Sequence, residues 1–425
     1  LDACRQSAQR LPSRIPRRDR SLACSGKPTR VAESFMGPHL HAHSLSIALG
    51  ALTLAACVEE PRLTVGPVET PPATVETGVA FGTAQSALLS LEAQLGKAIF
   101  TDKNLSTPAG QSCASCHTAT SGFADPDSYY PTSEGVIAGR FGPRNSPTAA
   151  YALYSPALHY DAVDGTYVGG LFWDGRVDNL EEQAKGPFLN PLEMNNRDKA
   201  AVVNKVRVSP YASLFLTVYG PVSLLNTDSA YNLIAKAIAT YERTAEFKPF
   251  SSKYDAYLAG KATLTTQEAN GLRLYEDPAK GNCAACHPSR PTSDGPPLFT
   301  DFTYDNIGVP RNPSSGFFAQ SSSYNPAGAE FVDMGLGAAV KDPAHNGKFK
   351  VPTLRNIART APYMHNGLFK DLRSVVSFYN ARDLGGFAPP ELPATVNHDE
   401  LGNLHLTGTE IDAIVAFLKT LNDGY

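Results

Sequence analysis

The residues with the most specific chemistry lie in two five-residue motifs, Cys113-Ala-Ser-Cys116-His117 and Cys283-Ala-Ala-Cys286-His287. Each sets two thiols three positions apart and follows the second with an imidazole. Thiols so spaced can add to the two vinyl groups of a porphyrin while the histidine ligates its iron from below, which is the requirement for covalent haem c attachment. A redox dithiol does not need the histidine. A zinc site needs four ligands, and no further cysteine stands near either motif. The expectation is two covalently bound haem c groups, with His117 and His287 as proximal iron ligands.

What faces the other side of each iron decides the chemistry. A haem with two strong ligands only passes electrons, whereas one with an open face can activate a peroxide. Neither His nor Met occurs between Thr118 and Leu158, so the first haem has no obvious local sixth ligand. His159 is the nearest candidate, against the ordinary reading of a lone histidine as a surface or packing residue. Peroxide cleavage also needs a group that carries a proton from the inner to the outer oxygen. The stretch Phe172–Met194, FWDGRVDNLEEQAKGPFLNPLEM, lies between the two motifs and holds the only tryptophan, Trp173, with Gln183 and Glu193 following at ten-residue intervals. Glu193 sits in a Pro-bounded turn and suits the proton-carrying role. Glu181 and Glu182 fall on a polar helical face and read as solvated.

The elements that position these groups read as mainly α. Apolar periodicity places a helix near 86–100 (Leu88, Leu89, Leu91, Leu95, Ile99), then others around Leu180–Lys185, Asp198–Val206, Pro210–Tyr219, Asp228–Ala245 and Leu372–Tyr379. Capping-box pairs Thr265/Glu268 and Thr407/Glu410 open two more, the latter with an apolar face of Ile411, Ile414, Val415, Leu418 and Leu421. Segments 122–170 and 288–350, rich in Gly, Pro and Ser, read as long irregular loops. The order of helix, haem motif, long loops and later helices occurs twice. The expected fold is two cytochrome c-like haem domains: 86–250, carrying the peroxidatic haem, and 251–425, carrying the electron-transfer haem.

The 425 residues carry 37 Lys and Arg against 41 Asp and Glu, a net charge of −4. That mixed charge offers no general basic surface for nucleic acid. Residues 1–57 read as an upstream segment and an export signal: the first methionine is Met36, and an apolar run Leu45–Ala56 ends in Leu54-Ala55-Ala56-Cys57, which resembles a bacterial lipobox. The expectation is a periplasmic protein attached to the membrane only through a lipid on Cys57, with 58–85 as a Pro/Thr-rich tether. Cys4, Cys24 and Cys57 are the remaining cysteines, so the later chain has none for a structural disulfide.

The segments FWDGR, EEQA, NPLEM and FKVPTLRNIARTAPYMHNG (Phe349–Gly367) together resemble the bacterial di-haem cytochrome c peroxidase and MauG family, from about Leu95 to Leu421. The resemblance implies a peroxide-reducing oxidoreductase. It implies that Trp173 couples the two haems, that Gln183 and Glu193 stand over the peroxide-binding haem with Glu193 as acid–base, and that Asn145 binds an inter-haem calcium through its side chain and Thr360 and Pro362 through their carbonyls. Typical peroxidases of the family carry a histidine in the loop after the first motif; the aligned Ser133–Ile137 has none, which implies an iron open without prior reduction. They also carry a methionine fourteen residues after the His of the Pro-Tyr-x-His-x-Gly motif. Counting from His365 gives Tyr379, the axial ligand type of the MauG branch, with Met364 and Met334 as alternatives. MauG uses a surface tryptophan six residues before its second haem histidine, and that position here is Gly281. The implied partners are hydrogen peroxide and, as electron donor, a c-type cytochrome, a cupredoxin or a protein substrate. The rival activity is a MauG-like peroxide-dependent oxidase of a protein or organic partner; a non-enzymatic electron carrier ranks below both.

Overall fold

A computed structural model describes residues 89–425. The expected lipobox, the Cys57 anchor and the whole of the 58–85 tether lie outside the described residues. Eleven helices occur among those described: α1 Leu91–Thr101, α2 Cys113–Cys116, α3 Leu180–Leu189, α4 Lys199–Arg207, α5 Ala212–Tyr219, α6 Thr227–Glu242, α7 Lys253–Leu258, α8 Thr266–Glu276, α9 Leu336–Val340, α10 Leu372–Ala381 and α11 Gly408–Lys419. The periodic segments became helices with ends shifted by a few residues. Their starts have local causes: Ser90, Asn179, Asp198, Asn226 and Asp371 each accept a backbone N–H of the first turn, and Thr265 and Thr407 form the expected capping boxes. The two long irregular segments hold more order than the sequence indicated. β1 His159–Asp161 pairs antiparallel with β2 Thr166–Val168, and β3 Tyr304–Asp305 with β4 Phe349–Lys350.

One helix crossing is built twice. α1 packs on α6 and α8 on α11, each through a glycine. A Cβ on Gly96 would stand 1.9 Å from the Ala237 carbonyl oxygen, and one on Gly271 would stand 2.0 Å from that of Ala413. Backbones approach so closely only where no side chain intervenes. Aromatic rings then close the crossing: Phe100 against Tyr241 in the first pair, Tyr275 against Phe417 in the second. Two apolar cores grow from these crossings, one drawing on residues 95–247 and the other on 254–421. Fully buried members such as Ile234 and Ile414 stabilise by about 1.5–3 kcal/mol each. Fully buried Arg355 ties the cores, pairing with Asp255 (2.9 Å) and lying over the Tyr151 and Phe250 rings.

Candidate functional site

Each haem motif is a single tight turn. His117 N–H bonds to the Cys113 carbonyl (3.0 Å) and His287 N–H to that of Cys283 (2.9 Å), which sets each imidazole at the end of its turn. Both rings are then fixed in the same way. Nδ1 of His117 lies 3.0 Å from the Phe123 carbonyl oxygen, and Nδ1 of His287 lies 2.7 Å from that of Phe299. Both phenylalanines have left-handed backbones, φ 59° and 55°, a costly conformation for a bulky residue that here aims a carbonyl at the ring. An Nδ1–H donated to a carbonyl leaves Nε2 with its lone pair, the tautomer a metal ligand needs. Burial pushes both imidazoles toward the neutral form, His287 down to about 4. The four cysteines are free thiols. Burial raises them all, Cys116, Cys283 and Cys286 to about 12. A redox dithiol or a zinc site would need depressed thiols instead.

Both motifs open into one cavity of about 750 Å³, lined also by Trp173, Gln183, Glu193, Tyr379, Asn145, Thr360 and Pro362. The neutral, anchored histidines, the unpaired thiols and the shared cavity fit a covalently held haem at each motif.

Glu193 follows α3 in the turn Asn190-Pro191-Leu192. Asn190 Nδ2 donates to its Oε1 at 2.6 Å. Burial raises its carboxyl above the ordinary range, opposed by that hydrogen bond and by the Arg176 charge. The Ser133–Ile137 loop is fastened to the same turn: Val136 N–H donates to the Glu193 carbonyl (2.9 Å), and a Cβ on Gly135 would stand 2.4 Å from that of Leu192. Gln183 lines the cavity from α3, and its amide pairs with no other side chain among the described residues. The Trp173 indole N–H donates to the Asn145 carbonyl (2.8 Å). Besides accepting the indole on its backbone carbonyl, Asn145 donates from its backbone N–H to the His365 carbonyl (2.7 Å) and from Nδ2 to those of Pro362 (2.6 Å) and Met364 (3.5 Å); an amide flip would turn its side-chain oxygen to the position Nδ2 now holds, as a cation ligand needs. Tyr379 projects from α10; burial, with the nearby cysteines, raises its phenol.

Among the alternatives, His159 lies exposed on β1 with Nδ1 near the Ala157 carbonyl, away from the cavity, so it is a surface residue. Met334 lies outside the cavity lining and Met364 within it. Two lining residues were not singled out from the sequence. Glu242 has an unpartnered, buried Oε2 and a carboxyl raised to about 8 by burial. It continues the Ile234–Ile238 stripe of α6, where a charge on an apolar face was the readable signal. Lys350 donates its backbone N–H to the Trp173 carbonyl (2.8 Å) and buries its ammonium against the Gly170 carbonyl, which pulls it down to about 8.

The family described as di-haem cytochrome c peroxidase matches residues 90–263. The methylamine utilization protein MauG of Paracoccus denitrificans is 40% identical over 366 residues, 81% of this chain and 92% of that protein. The cytochrome c551 peroxidase of Pseudomonas aeruginosa is 30% identical over 334 residues, 77% of this chain and 78% of its own length. Among solved structures, the diheme peroxidase BthA from Burkholderia thailandensis is similar with a TM-score of 0.68 and 34% identity, covering 78% of this chain and 86% of that one.

Proposed function

From the premise that this chain belongs to the di-haem cytochrome c peroxidase and MauG family of oxidoreductases, we propose that it reduces hydrogen peroxide at the first motif and draws the electrons through the second. The observation that carries this reading is the single cavity shared by both haem motifs, Trp173 and Glu193, whose carboxyl burial raises above the ordinary range. Cys113, Cys116 and His117 would hold one haem c, and Cys283, Cys286 and His287 the other, with Tyr379 as a further iron ligand of the second. When bound, these groups supply the redox iron.

The chain's own part is proton management and positioning. Ionised Glu193 takes a proton from one peroxide oxygen and returns it to the other, so that the O–O bond breaks with water leaving. Two electrons and two further protons complete the conversion of H₂O₂ to two waters. Asn190 holds Glu193 in place, the unpaired Gln183 amide orients the peroxide, and Trp173 bridges the motifs. The absence of a histidine in Ser133–Ile137 supports a site open without prior reduction. Calcium bound by Asn145 and the Thr360 and Pro362 carbonyls would hold Trp173 in register, since the same asparagine accepts its indole. On this reading each half is a cytochrome c-like domain, and the protein is exported and lipid-anchored at Cys57.

Spectra of the ferric protein test the assignment: one high-spin and one low-spin haem are expected, with a change on adding one equivalent of peroxide. Two low-spin haems would remove the open site.

A specific observation favours a second reading, a MauG-like oxidase of a partner protein or organic molecule. Tyr379 lines the cavity where peroxidases of the family use methionine, and a phenolate favours higher iron oxidation states. The partner-facing tryptophan has no room here, because a Cβ on Gly281 would stand 2.4 Å from the Leu274 carbonyl oxygen. Fast turnover with a reduced c-type cytochrome or cupredoxin supports the first reading; long-lived peroxide-oxidised protein with little cytochrome oxidation supports the second.

A further inference from the structure

A run of aromatic rings joins the second motif to the surface. Tyr275 lines the cavity and donates its phenol to the His287 carbonyl (2.6 Å), and the Phe299 carbonyl accepts from the His287 ring. The Phe417 ring lies 5.0 Å from Tyr275 and 5.3 Å from Tyr254; Phe299 lies 6.4 and 5.6 Å from the same two. Tyr254 then stacks on Tyr257, with centroids 5.8 Å apart and planes at 28°. Rings at these separations touch, so an electron can cross in short steps. Tyr275, Phe299, Phe417 and Tyr254 are no more than 2% exposed, but Tyr257, on α7, is 39% exposed. The matching run at the first motif, Phe123, Phe247 and Tyr241, ends buried at Tyr241.

We propose that Tyr257 is the surface port of this protein, where a one-electron donor that does not enter the cavity is oxidised. This rests on the peroxide-dependent reading above. Tyr257 sends one electron inward and releases its phenol proton to water, becoming a neutral tyrosyl radical. The donor's electron and a proton from water restore the phenol. Two such cycles supply the two electrons that reduce one H₂O₂ to two waters. Tyr275 and Tyr254 give their hydroxyls to the carbonyls of His287 and Ser289 (3.1 Å), and a carbonyl is too weak a base to take a phenol proton. Those rings bridge; only Tyr257 of the three can shed its proton to solvent. Packing at the α8–α11 crossing explains the buried rings but makes no use of the Tyr257 hydroxyl, which forms no hydrogen bond among the described residues.

The test uses the holoprotein treated with one equivalent of hydrogen peroxide. Freeze-quenched electron paramagnetic resonance, with ring-deuterated tyrosine as control, should show a tyrosyl radical, and a nitroso spin trap should label Tyr257 in peptide mass spectra. Tyr257→Phe should abolish both and prolong the peroxide-oxidised absorption at least tenfold. Tyr257→Trp should restore the decay with a tryptophanyl signal. Unchanged radical yield and decay in Tyr257→Phe would overturn the port alone. A wild-type protein with no absorption response to peroxide would overturn the peroxide-dependent function and the port with it.

Discussion

Replacing Glu242 with glutamine should stabilise the protein at neutral pH and leave it nearly unchanged in acid. The carboxyl is buried on the apolar face of α6 with Oε2 unpartnered. Burial moves it from an ordinary value of 4.5 up to about 8, opposed by Arg243 and reinforced by Glu181. The unfolded chain therefore gives up this proton near 4.5 while the folded protein keeps it to about 8. Over that window the unfolded state binds fewer protons, so stability falls as pH rises. At pH 7 the difference spans roughly 2.5 pH units, which at 1.36 kcal/mol per unit comes to about 3 kcal/mol; by pH 8 it approaches about 5 kcal/mol. Glutamine is neutral throughout and has nearly the shape of the protonated acid, so Glu242→Gln removes this pH dependence. Guanidinium unfolding of both proteins from pH 4 to 8, followed by the fluorescence of Trp173, the only tryptophan, measures the gap. Parallel stability curves for the two proteins would refute the reasoning.

Glu193→Gln keeps an oxygen for Asn190 to donate to but cannot carry a proton; peroxide turnover should fall about 10²–10⁴-fold with haem content unchanged, measured by stopped-flow absorption. Because Glu193 acts as a base and its carboxyl is raised, wild-type turnover should climb with pH through a value above the ordinary carboxylate range, and a profile flat from pH 4 upward counts against that role. Gly96→Ala and Gly271→Ala place a methyl about 2 Å from a carbonyl oxygen, so each should cost about 1–3 kcal/mol or more in guanidinium unfolding as its helix pair is forced apart. Tyr379→Phe removes the proposed ligand oxygen and should turn the low-spin haem signal high-spin; an unaltered spectrum would point to Met364.

The helices were legible because their apolar stripes and caps are local: Thr407 with Glu410, or Ile411 with Ile414 and Leu418, need no knowledge of the rest of the chain. The haem motifs were legible because thiol addition and iron ligation demand fixed spacing. The β1–β2 hairpin at His159–Val168 and the long-range β3–β4 pair at Tyr304/Lys350 were not, since strands of two or three residues leave almost no alternation to read. Nor were the left-handed Phe123 and Phe299, whose carbonyls hold the two imidazoles; a bulky residue at positive φ is imposed by tertiary packing against its own preference. Glu242 was hidden for the opposite reason: helical periodicity made it a stripe position, and charge alone made it look solvated.

Asn145 has a further consequence, one of mechanical interlock. It accepts the Trp173 indole while its own backbone and side chain are clamped by the carbonyls of His365 and Pro362, from the far half of the chain. Because the indole and the far half of the chain meet on one residue, a displacement of one half against the other must break or shift one of these bonds. On the proposed function, in which Trp173 bridges the two motifs, a loosened protein would lose that bridge while each histidine keeps its own local carbonyl anchor, so conduction would depend on complete assembly of the two halves.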